Sequence, residues 1–564
     1  MTADCDICIT GSGAGASPVA YALAQAGYSV VVLEKGAWFT EPDFSKDELA
    51  CCRRSVYTPD LQDEQHVIEE LKDNGEWSTS PTSESGWDFW NGNCVGGSSN
   101  FMSGYFYRLK PDDFRLRSEY GPIAGANIVD WPISYADLEP YYTMVEQIVG
   151  ISGRVVRHPH LEPRSTPDFP HPPLQENIIS QWIDAACDKL DYHSLPTPRA
   201  ILSRPAHQRN SCSYSVFCGS YGCSTGAKSS ARAALLNRAV ETGRCKIHTH
   251  AKVNRLISNT EGKVIAAEYF DRQGQRQRVT AKVFVVACQA IETSRLLLSS
   301  PGPRHPDGLG NNHHQVGRNL LFSAGGSGQG TFAYKDLGAE QAEALRQRGP
   351  FVNRGLQDWY YVDDAKSGRF KGGTIDFLFR HPNAIARANN QKWDDNGDLI
   401  WGKPLKQNIN RYFTEARYLR FEVFCDWLPT DTCNVELDSR VKDKWGTPVA
   451  RVKVGFHPHD LKVGEYLATK ARKVLTAMGA QDIYSNISGD PPPNLVAGGC
   501  RFGTDPEHAV LDSDCRVFGA DNLFVSDGSF MPTGGSVPYT WTIYANAFRV
   551  ADKIRAQLGG PVTS

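Results

Sequence analysis

The chain begins with a stretch, CDICITGSGAGA (residues 5–16), that predicts a buried strand running into a glycine-rich turn. An alanine-rich helix from Pro18 to Ala26 follows, and then an apolar run, YSVVVL (residues 28–33), that ends at Glu34. This order of elements predicts a βαβ unit that binds a dinucleotide: a strand, a glycine turn, a helix, a second strand and an acidic residue. The turn brings backbone N–H groups and a helix N-terminus against the phosphates.

The small residues of this turn have separate roles. Gly11 permits the tight turn, Gly13 lets the backbone approach the pyrophosphate, and Ala16 allows the helix to pack closely on the sheet. Glu34 lies about 20 residues further on, where a carboxylate can accept hydrogen bonds from the adenosine ribose. The predicted cofactor contacts of the unit are Gly11, Gly13, Ala14, Gly15, Ala16, Glu34 and Lys35.

Composition bounds the class of protein. The chain has 564 residues, of which 40% are apolar and 22% are charged, and its formal net charge is −3. This balance is typical of a soluble globular protein of two or three domains and predicts no nucleic-acid partner. No run approaches the roughly 18 apolar residues of a spanning helix, so we expect no transmembrane segment. No signal peptide is recognised at the N-terminus.

Changes in pattern along the chain predict two domains. Residues 1–154, 205–314 and 491–564 form the nucleotide-binding domain, with a loop excursion over residues 41–90. Residues 155–204 and 315–490 form a substrate-binding domain, which is rich in aromatic residues and reads as strands with long loops. Tryptophan rings in that region are candidates for stacking on sugar faces. The predicted fold class is α/β, and α+β overall.

Four separated segments together resemble the glucose–methanol–choline (GMC) oxidoreductases. They are the βαβ unit, VGGSS (residues 95–99), VVACQAIETSRLL (residues 285–297) and NLFVSDGS (residues 522–529). The resemblance implies FAD as the cofactor and a Rossmann-type domain assembled from discontinuous segments beside a sheet-based substrate domain. By the same resemblance, further cofactor contacts are Gly96, Gly97, Ser98, Val253, Asp527, Gly528 and Tyr539.

The proton-transfer half of the family pattern is altered. The family uses a histidine to take the hydroxyl proton while the adjacent carbon gives hydride to flavin N5. At the position of that histidine this chain has Leu495, and at the second catalytic position, usually His or Asn, it has Pro538. Neither side chain can move a proton.

Three hypotheses account for this departure. The base comes from another residue, the substrate is already activated and needs no strong base, or the chain binds flavin without the usual activity. Polar candidates for the first hypothesis are Asn494, Tyr539, Thr540, His457 and His459. For His457 and His459, which follow a strand and precede a helix, a capping role is an alternative.

Three cysteines lie close together in a loop rich in glycine and serine. Cys212, Cys218 and Cys223 are soft ligands that suit an iron–sulfur cluster, zinc or copper(I), and Cys51 or Cys52 could supply a fourth thiolate. The loop is similar to that of bacterial flavin sugar dehydrogenase catalytic subunits, which carry a three-iron cluster, although the last spacing differs by one residue. Structural thiols and a Cys–Cys bridge remain alternatives.

These observations predict an FAD-dependent dehydrogenase that oxidises an alcohol, foremost a sugar or glycoside hydroxyl. An oxidase that uses oxygen and a catalytically silent flavin subunit are the competing functions. The resemblance implies a small chaperone-like subunit and a cytochrome c electron acceptor as partners. It also implies a cytoplasmic location, or a periplasmic one through co-export with a partner that carries a twin-arginine signal.

Overall fold

The computed structural model describes residues 3–49, 56–72, 74–89, 91–380, 383–394, 396–489 and 495–560. The strands are β1 (Cys5–Thr10), β2 (Val30–Leu33), β3 (Val67–Leu71), β4 (Trp77–Pro81), β5 (Ser194–Pro196), β6 (Cys245–His248), β7 (Lys252–Ser258), β8 (Val264–Phe270), β9 (Arg276–Val279), β10 (Ala281–Val286), β11 (Leu320–Leu321), β12 (Ser323–Ala333), β13 (Arg354–Leu356), β14 (Tyr361–Asp364), β15 (Gly368–Lys371), β16 (Gly373–Phe379), β17 (Ala416–Asp426), β18 (Asn434–Lys442), β19 (Pro448–Val454), β20 (Gln481–Asn486), β21 (Ala497–Gly498) and β22 (Leu523–Val525). The helices are α1 (Ala16–Gln25), α2 (Thr82–Ser85), α3 (Leu116–Tyr120), α4 (Tyr135–Val145), α5 (Ile179–Leu190), α6 (Asn237–Glu241), α7 (Ala290–Leu298), α8 (Ala339–Arg346), α9 (Ala384–Asn390), α10 (Lys403–Thr414), α11 (Pro458–Ala477) and α12 (Thr540–Gln557).

A five-stranded parallel sheet, in the order β22-β10-β1-β2-β6, carries the glycine turn. Strands β1, β2 and β10 are short, rich in β-branched residues and mostly buried, as expected when both faces of a parallel sheet are covered, whereas the edge strand β6 is half exposed. β1 lies between β2 and β10, so chain connections leave it in opposite directions. A cleft therefore opens beyond its carboxyl end, where ligands of such sheets bind.

The alternation of apolar and polar residues over residues 246–290 predicts hairpins around Gly262 and Gly274, and the structure contains both. They form a three-stranded antiparallel sheet, β7-β8-β9, and both glycines have positive φ, +88° and +74°. Glycine is favoured at such turns because it has no Cβ to clash in this conformation.

A six-stranded sheet, in the order β20-β12-β17-β16-β13-β5, forms the second large part of the molecule. Side chains alternate between the two faces of a strand. On β17, Phe421 and Val423 pack into a buried cluster that includes Leu467 and Ala471 of α11. Glu422 and Phe424 lie on the opposite face of the strand and line the large cavity described below.

The excursion over residues 41–90, expected to be a loop, contains two strands. β3 pairs in parallel with β19 and antiparallel with β4, so this segment joins the four-stranded sheet β18-β19-β3-β4. β4 has the sequence WSTSP, which lacks the apolar alternation that would have predicted it. Its strand character comes from pairing with a distant segment. Among the described residues, no helix is long and apolar enough to cross a membrane.

Candidate active site

The glycine turn after β1 leaves its backbone open to a ligand. Gly11 has φ +83°, and a Cβ there would lie 2.3 Å from the carbonyl oxygen of Ala287. A Cβ at Gly15 would lie 2.5 Å from the Cα of Asp527. At Gly13, by contrast, a Cβ would meet no protein atom within 4 Å. Protein atoms therefore pack against the turn at Gly11 and Gly15 and leave space at Gly13. This space fits the close approach of a pyrophosphate.

The carboxylate of Glu34 is fixed beside this turn. Its Oε2 accepts a hydrogen bond from Ser12 Oγ at 2.5 Å, and its Oε1 accepts one from the Gly36 N–H at 2.8 Å. Burial raises the pKa of Glu34, although these hydrogen bonds and the charge of Lys35 oppose the shift. Lys35 forms an ion pair with Glu64 at 2.5 Å. The geometry fits the predicted contact with an adenosine ribose.

One long cavity, here called the central cavity, runs from this turn to the six-stranded sheet. The predicted cofactor contacts that line it are Gly11, Gly13, Ala14, Gly15, Glu34, Lys35, Gly97, Ser98, Val253, Asp527, Gly528 and Tyr539. Two predicted contacts are absent from this lining. Ala16, the first residue of α1, is fully buried, and Gly96 donates its N–H to Ser12 Oγ at 3.1 Å. Both support the turn from behind.

Asp527 ties together three of the segments that build the cavity. Its Oδ2 accepts hydrogen bonds from Thr293 Oγ1 at 2.5 Å and from the Gln289 N–H at 2.9 Å, and its Oδ1 accepts one from the Ser529 N–H at 3.0 Å. Burial raises its pKa, and these hydrogen bonds oppose the shift. Because protein donors already engage both carboxylate oxygens, we assign the side chain a positioning role.

The two positions that depart from the family pattern lie on the wall of the central cavity. Leu495 and Pro538 line it together with Tyr539 and Thr540. The Tyr539 hydroxyl is buried without a hydrogen-bond partner among the described residues, and burial raises its pKa well above 10. Tyr539 therefore stays protonated near neutral pH and can donate a hydrogen bond but cannot act as a base. The hydroxyl of Thr540 is no stronger a base.

Two histidines predicted as candidate bases lie elsewhere. His457 is the N-cap of α11: its Nδ1 accepts a hydrogen bond from the His459 N–H at 3.1 Å, and its Nε2 contacts the carbonyl oxygen of Ala124 at 2.9 Å. His459 packs edge-on against Phe370. Neither lines the central cavity. Capping, the alternative role, is the one the structure gives His457. Asn494 lies outside the described residues.

Glu422 is the titratable group that sequence analysis missed. The other carboxylates that line the central cavity among the described residues are engaged near the nucleotide end, and Glu292 for example contacts His66 at 2.8 Å and Arg295 at 3.3 Å. Glu422 enters from β17 at the opposite end. Burial raises its pKa, and the guanidinium groups of Arg420 and Arg199 oppose the shift. Alternation along β17 places it opposite a core face, but only the packing shows that its face is the cavity.

The tryptophan-rich region does not provide the expected stacking platform. Among the described residues, no tryptophan lines the central cavity. Trp427 is buried against Phe322, with ring centroids 5.5 Å apart, and Trp401 is 78% exposed at the surface. These two tryptophans serve the core and the surface instead.

The three clustered cysteines border the same small apolar cluster, but their sulfur atoms do not all lie within 4.8 Å of one another, so they do not form a site for a single zinc or copper(I) ion. Cys212, Cys218 and Cys223 pack against one small apolar cluster, and all three are free thiols, so the alternative of a Cys–Cys bridge is not formed. Burial would raise the pKa of Cys223, but the ammonium group of Lys228 and hydrogen bonds from Thr225 outweigh it and lower the pKa. Cys51 and Cys52 lie outside the described residues.

A phosphate-binding turn, an acid for the ribose and a long cavity leading to a second sheet define a dinucleotide-dependent oxidoreductase. Models of the GMC oxidoreductase family match residues 79–323 and residues 429–547. A 2-methyl-1,2-propanediol dehydrogenase of Mycolicibacterium austroafricanum is 31% identical over 97% of this chain and 95% of the relative. The fructose dehydrogenase large subunit of Gluconobacter japonicus is 26% identical over 98% of each. Other relatives are named oxidases.

The fold matches as well. A crystal structure of pyridoxine 4-oxidase from Mesorbium loti superimposes with a TM-score of 0.60 at 18% identity, covering 98% of this chain and 99% of the other. The chain belongs to the GMC oxidoreductase family. It is an FAD-dependent oxidoreductase that acts on CH–OH donors, as the sequence predicted.

Proposed function

We propose that this chain is a dehydrogenase that oxidises a hydroxyl group of a sugar or a related polyol and passes the electrons to a partner rather than to oxygen. The observation that carries the proposal is the central cavity, which joins a dinucleotide cleft at one end to a free carboxylate, Glu422, at the other. The names of relatives, among them fructose dehydrogenase, support the substrate class.

Glu422 takes the part of the missing histidine. Bound FAD supplies N5 as the acceptor of hydride from the alcohol carbon. Glu422 accepts the hydroxyl proton as that C–H bond breaks, so that the alcohol becomes a carbonyl compound and the pair of electrons leaves with the hydride. Tyr539, which keeps its proton, donates a hydrogen bond to the substrate oxygen. Leu495 and Pro538 keep water away from the reacting carbon.

Anaerobic mixing of the FAD-loaded protein with a panel of sugars, glycosides, diols and aryl alcohols tests this function. We expect at least one polyol to bleach the visible flavin band rapidly. In Glu422→Gln, the rate of bleaching should fall by about 10²–10⁴-fold, the usual contribution of a general base. Glu436→Gln, a change on the surface strand β18, is the matched control and should keep the rate.

The result also separates the competing functions. If no alcohol reduces the flavin while the protein retains its full complement of FAD, the chain is a silent flavin subunit. Fast reoxidation of the reduced flavin by air with release of hydrogen peroxide identifies an oxidase. An unchanged rate in Glu422→Gln, with FAD content equal to wild type, removes Glu422 from the mechanism.

The cysteine cluster is the proposed exit for electrons. Three thiols on one loop are suited to a three-iron cluster. Cys218 lines a side pocket, and Ser220, two residues on, lines the central cavity. A cluster here would lie between flavin and a partner such as a cytochrome c. The small subunit and the cellular location stay predictions from the family resemblance.

A further inference from the structure

A second cavity, here called the arginine pocket, opens beside the central cavity. Its charged lining residues are Arg199, Arg346, Arg348, Arg380, Arg387 and Arg417. Among the described residues, no aspartate or glutamate lines it. Arg346 pairs with Glu343, and the charge of Arg199 acts on Glu422. The like charges of Arg348, Arg380 and Arg417 repel each other, and their repulsion is relieved when an anion binds between them.

The inner arginines face neutral partners. Arg417, at the start of β17, has its guanidinium carbon 3.9 Å from the centre of the Phe379 ring, and its Nε is buried without a hydrogen-bond partner among the described residues. Arg380 donates to Gln329 Oε1 and, at 3.3 Å, to the Tyr412 hydroxyl. Burial lowers the pKa of Arg417, and the charges of Arg387 and Arg348 lower it further. These contacts orient the guanidinium groups of Arg417 and Arg380, which form no ion pair among the described residues, whereas Arg346 at the rim pairs with Glu343 at 3.7 Å.

The arginine pocket communicates with the proposed site of oxidation. Ser103, Tyr105 and Leu378 line both cavities. Arg199 stands at this junction, with its guanidinium carbon 3.7 Å from the centre of the Tyr105 ring. The two cavities share this wall, so a substrate that extends past it would have one end beside Glu422 and the other end among the arginines.

We propose that the arginine pocket binds the anionic group of the alcohol substrate, a carboxylate or a phosphate monoester. The substrate class would then be a sugar acid or a sugar phosphate. Guanidinium groups bind both anions through paired N–H donors, and rings such as Phe379 hold the guanidinium planes in place. This inference rests on the proposed alcohol oxidation and narrows its substrate.

Calorimetric titration of the FAD-loaded protein with D-gluconate, D-glucose 6-phosphate and the neutral polyol D-glucitol tests the assignment without turnover. We expect one of the anions to bind at least tenfold more tightly than D-glucitol at low salt, and which one binds distinguishes carboxylate from phosphate. Arg417→Met should weaken that anion at least tenfold and leave D-glucitol unchanged. Arg417→Lys should recover part of the lost anion affinity, because lysine keeps the positive charge but lacks the paired N–H donors of the guanidinium group.

Controls keep the result interpretable. Arg440→Met, a change at an exposed arginine of β18 outside both cavities, should bind like wild type. If Arg417→Met fails to retain FAD, Arg348→Met at the exposed mouth of the pocket replaces it. Equal affinities for the anions and D-glucitol, or equal anion affinities in wild type and the arginine variants, overturn the proposal.

The outcomes also separate this inference from the proposed function. Anion binding that depends on Arg417, combined with no flavin reduction by any alcohol, contradicts the oxidation and leaves the binding site standing. Rapid flavin reduction by neutral alcohols alone, with no anion binding, overturns the binding site and leaves the oxidation standing.

Discussion

Glu422 is a partly buried carboxylate on the wall of the central cavity, and the two positions where the family has its catalytic residues, Leu495 and Pro538, are apolar. Because burial raises its pKa above the ordinary value of 4.5, the group titrates at a higher pH than a surface glutamate. A base must be ionised to accept a proton. The rate of flavin reduction should therefore rise with pH through the raised pKa of Glu422 and level off above it.

A pH series of anaerobic flavin reduction checks this expectation. In wild type we expect an ascending limb above pH 4.5, the ordinary pKa of the side chain. Glu422→Gln should lose the limb along with most of the rate, because the amide does not titrate. A limb that survives unchanged in Glu422→Gln belongs to another group and contradicts the assignment.

The sequence predicted the positions of some site residues but not of others. Leu495 and Pro538 are assigned to the two catalytic positions of the family from their spacing to Gly498 and Thr542, and both line the central cavity. His457 was misplaced among the candidate bases because its position before α11 fits a loop ligand as well as a helix cap. No sequence motif around Glu422 indicates a catalytic role, because β17 has the residue pattern of an ordinary half-buried strand.

At the scale of elements, we expect a substitution at Gly13, in the glycine turn between β1 and α1, to lower FAD affinity without lowering the stability of the apoprotein. Gly13→Ala should preserve the apoprotein, because the new Cβ meets no protein atom within 4 Å and φ is not positive. At compatible sites such a change even stabilises by about 0.4–1 kcal/mol. The same Cβ occupies the space that the pyrophosphate needs, so we expect FAD affinity to fall by about tenfold or more.

Gly15→Ala is the matched comparison. Its Cβ would lie 2.5 Å from the backbone of Asp527, so the strand ends must move apart and the protein itself should be destabilised. Thermal unfolding of the two apoproteins and titration with FAD provide the two measurements. If Gly13→Ala binds FAD like wild type, the open turn is not the phosphate site.

The first residues of two helices differ from those that the sequence pattern predicts. The sequence pattern predicts a last helix over residues 544–558, whereas α12 begins at Thr540. The pattern also predicts a helix over residues 292–298, whereas α7 begins at Ala290, because the Gln289 side chain accepts a hydrogen bond from the Ile291 N–H at 2.8 Å. Glutamine is an uncommon N-cap, so the sequence pattern placed this start two residues late.

At the scale of the whole molecule, the open question is how electrons leave. If Cys212, Cys218 and Cys223 hold a cluster, protein prepared without air should contain about three irons per chain, with labile sulfide and a paramagnetic signal. Cys218→Ser should lose the iron, and Cys5→Ser, at the start of β1, should keep it. Iron near zero together with rapid hydrogen peroxide formation would favour an oxidase.

The sequence by itself determined the nucleotide unit, the cofactor and the family, because those depend on short-range constraints. Gly11, Gly13 and the acid after the second strand, Glu34, all lie within one short segment, residues 11–34. The tertiary structure alone decided that Glu422 lies at the end of the central cavity away from the glycine turn and that six arginines surround one pocket. Those residues come from segments spread over more than two hundred positions, and their meeting depends on strand pairing and packing that no local pattern records.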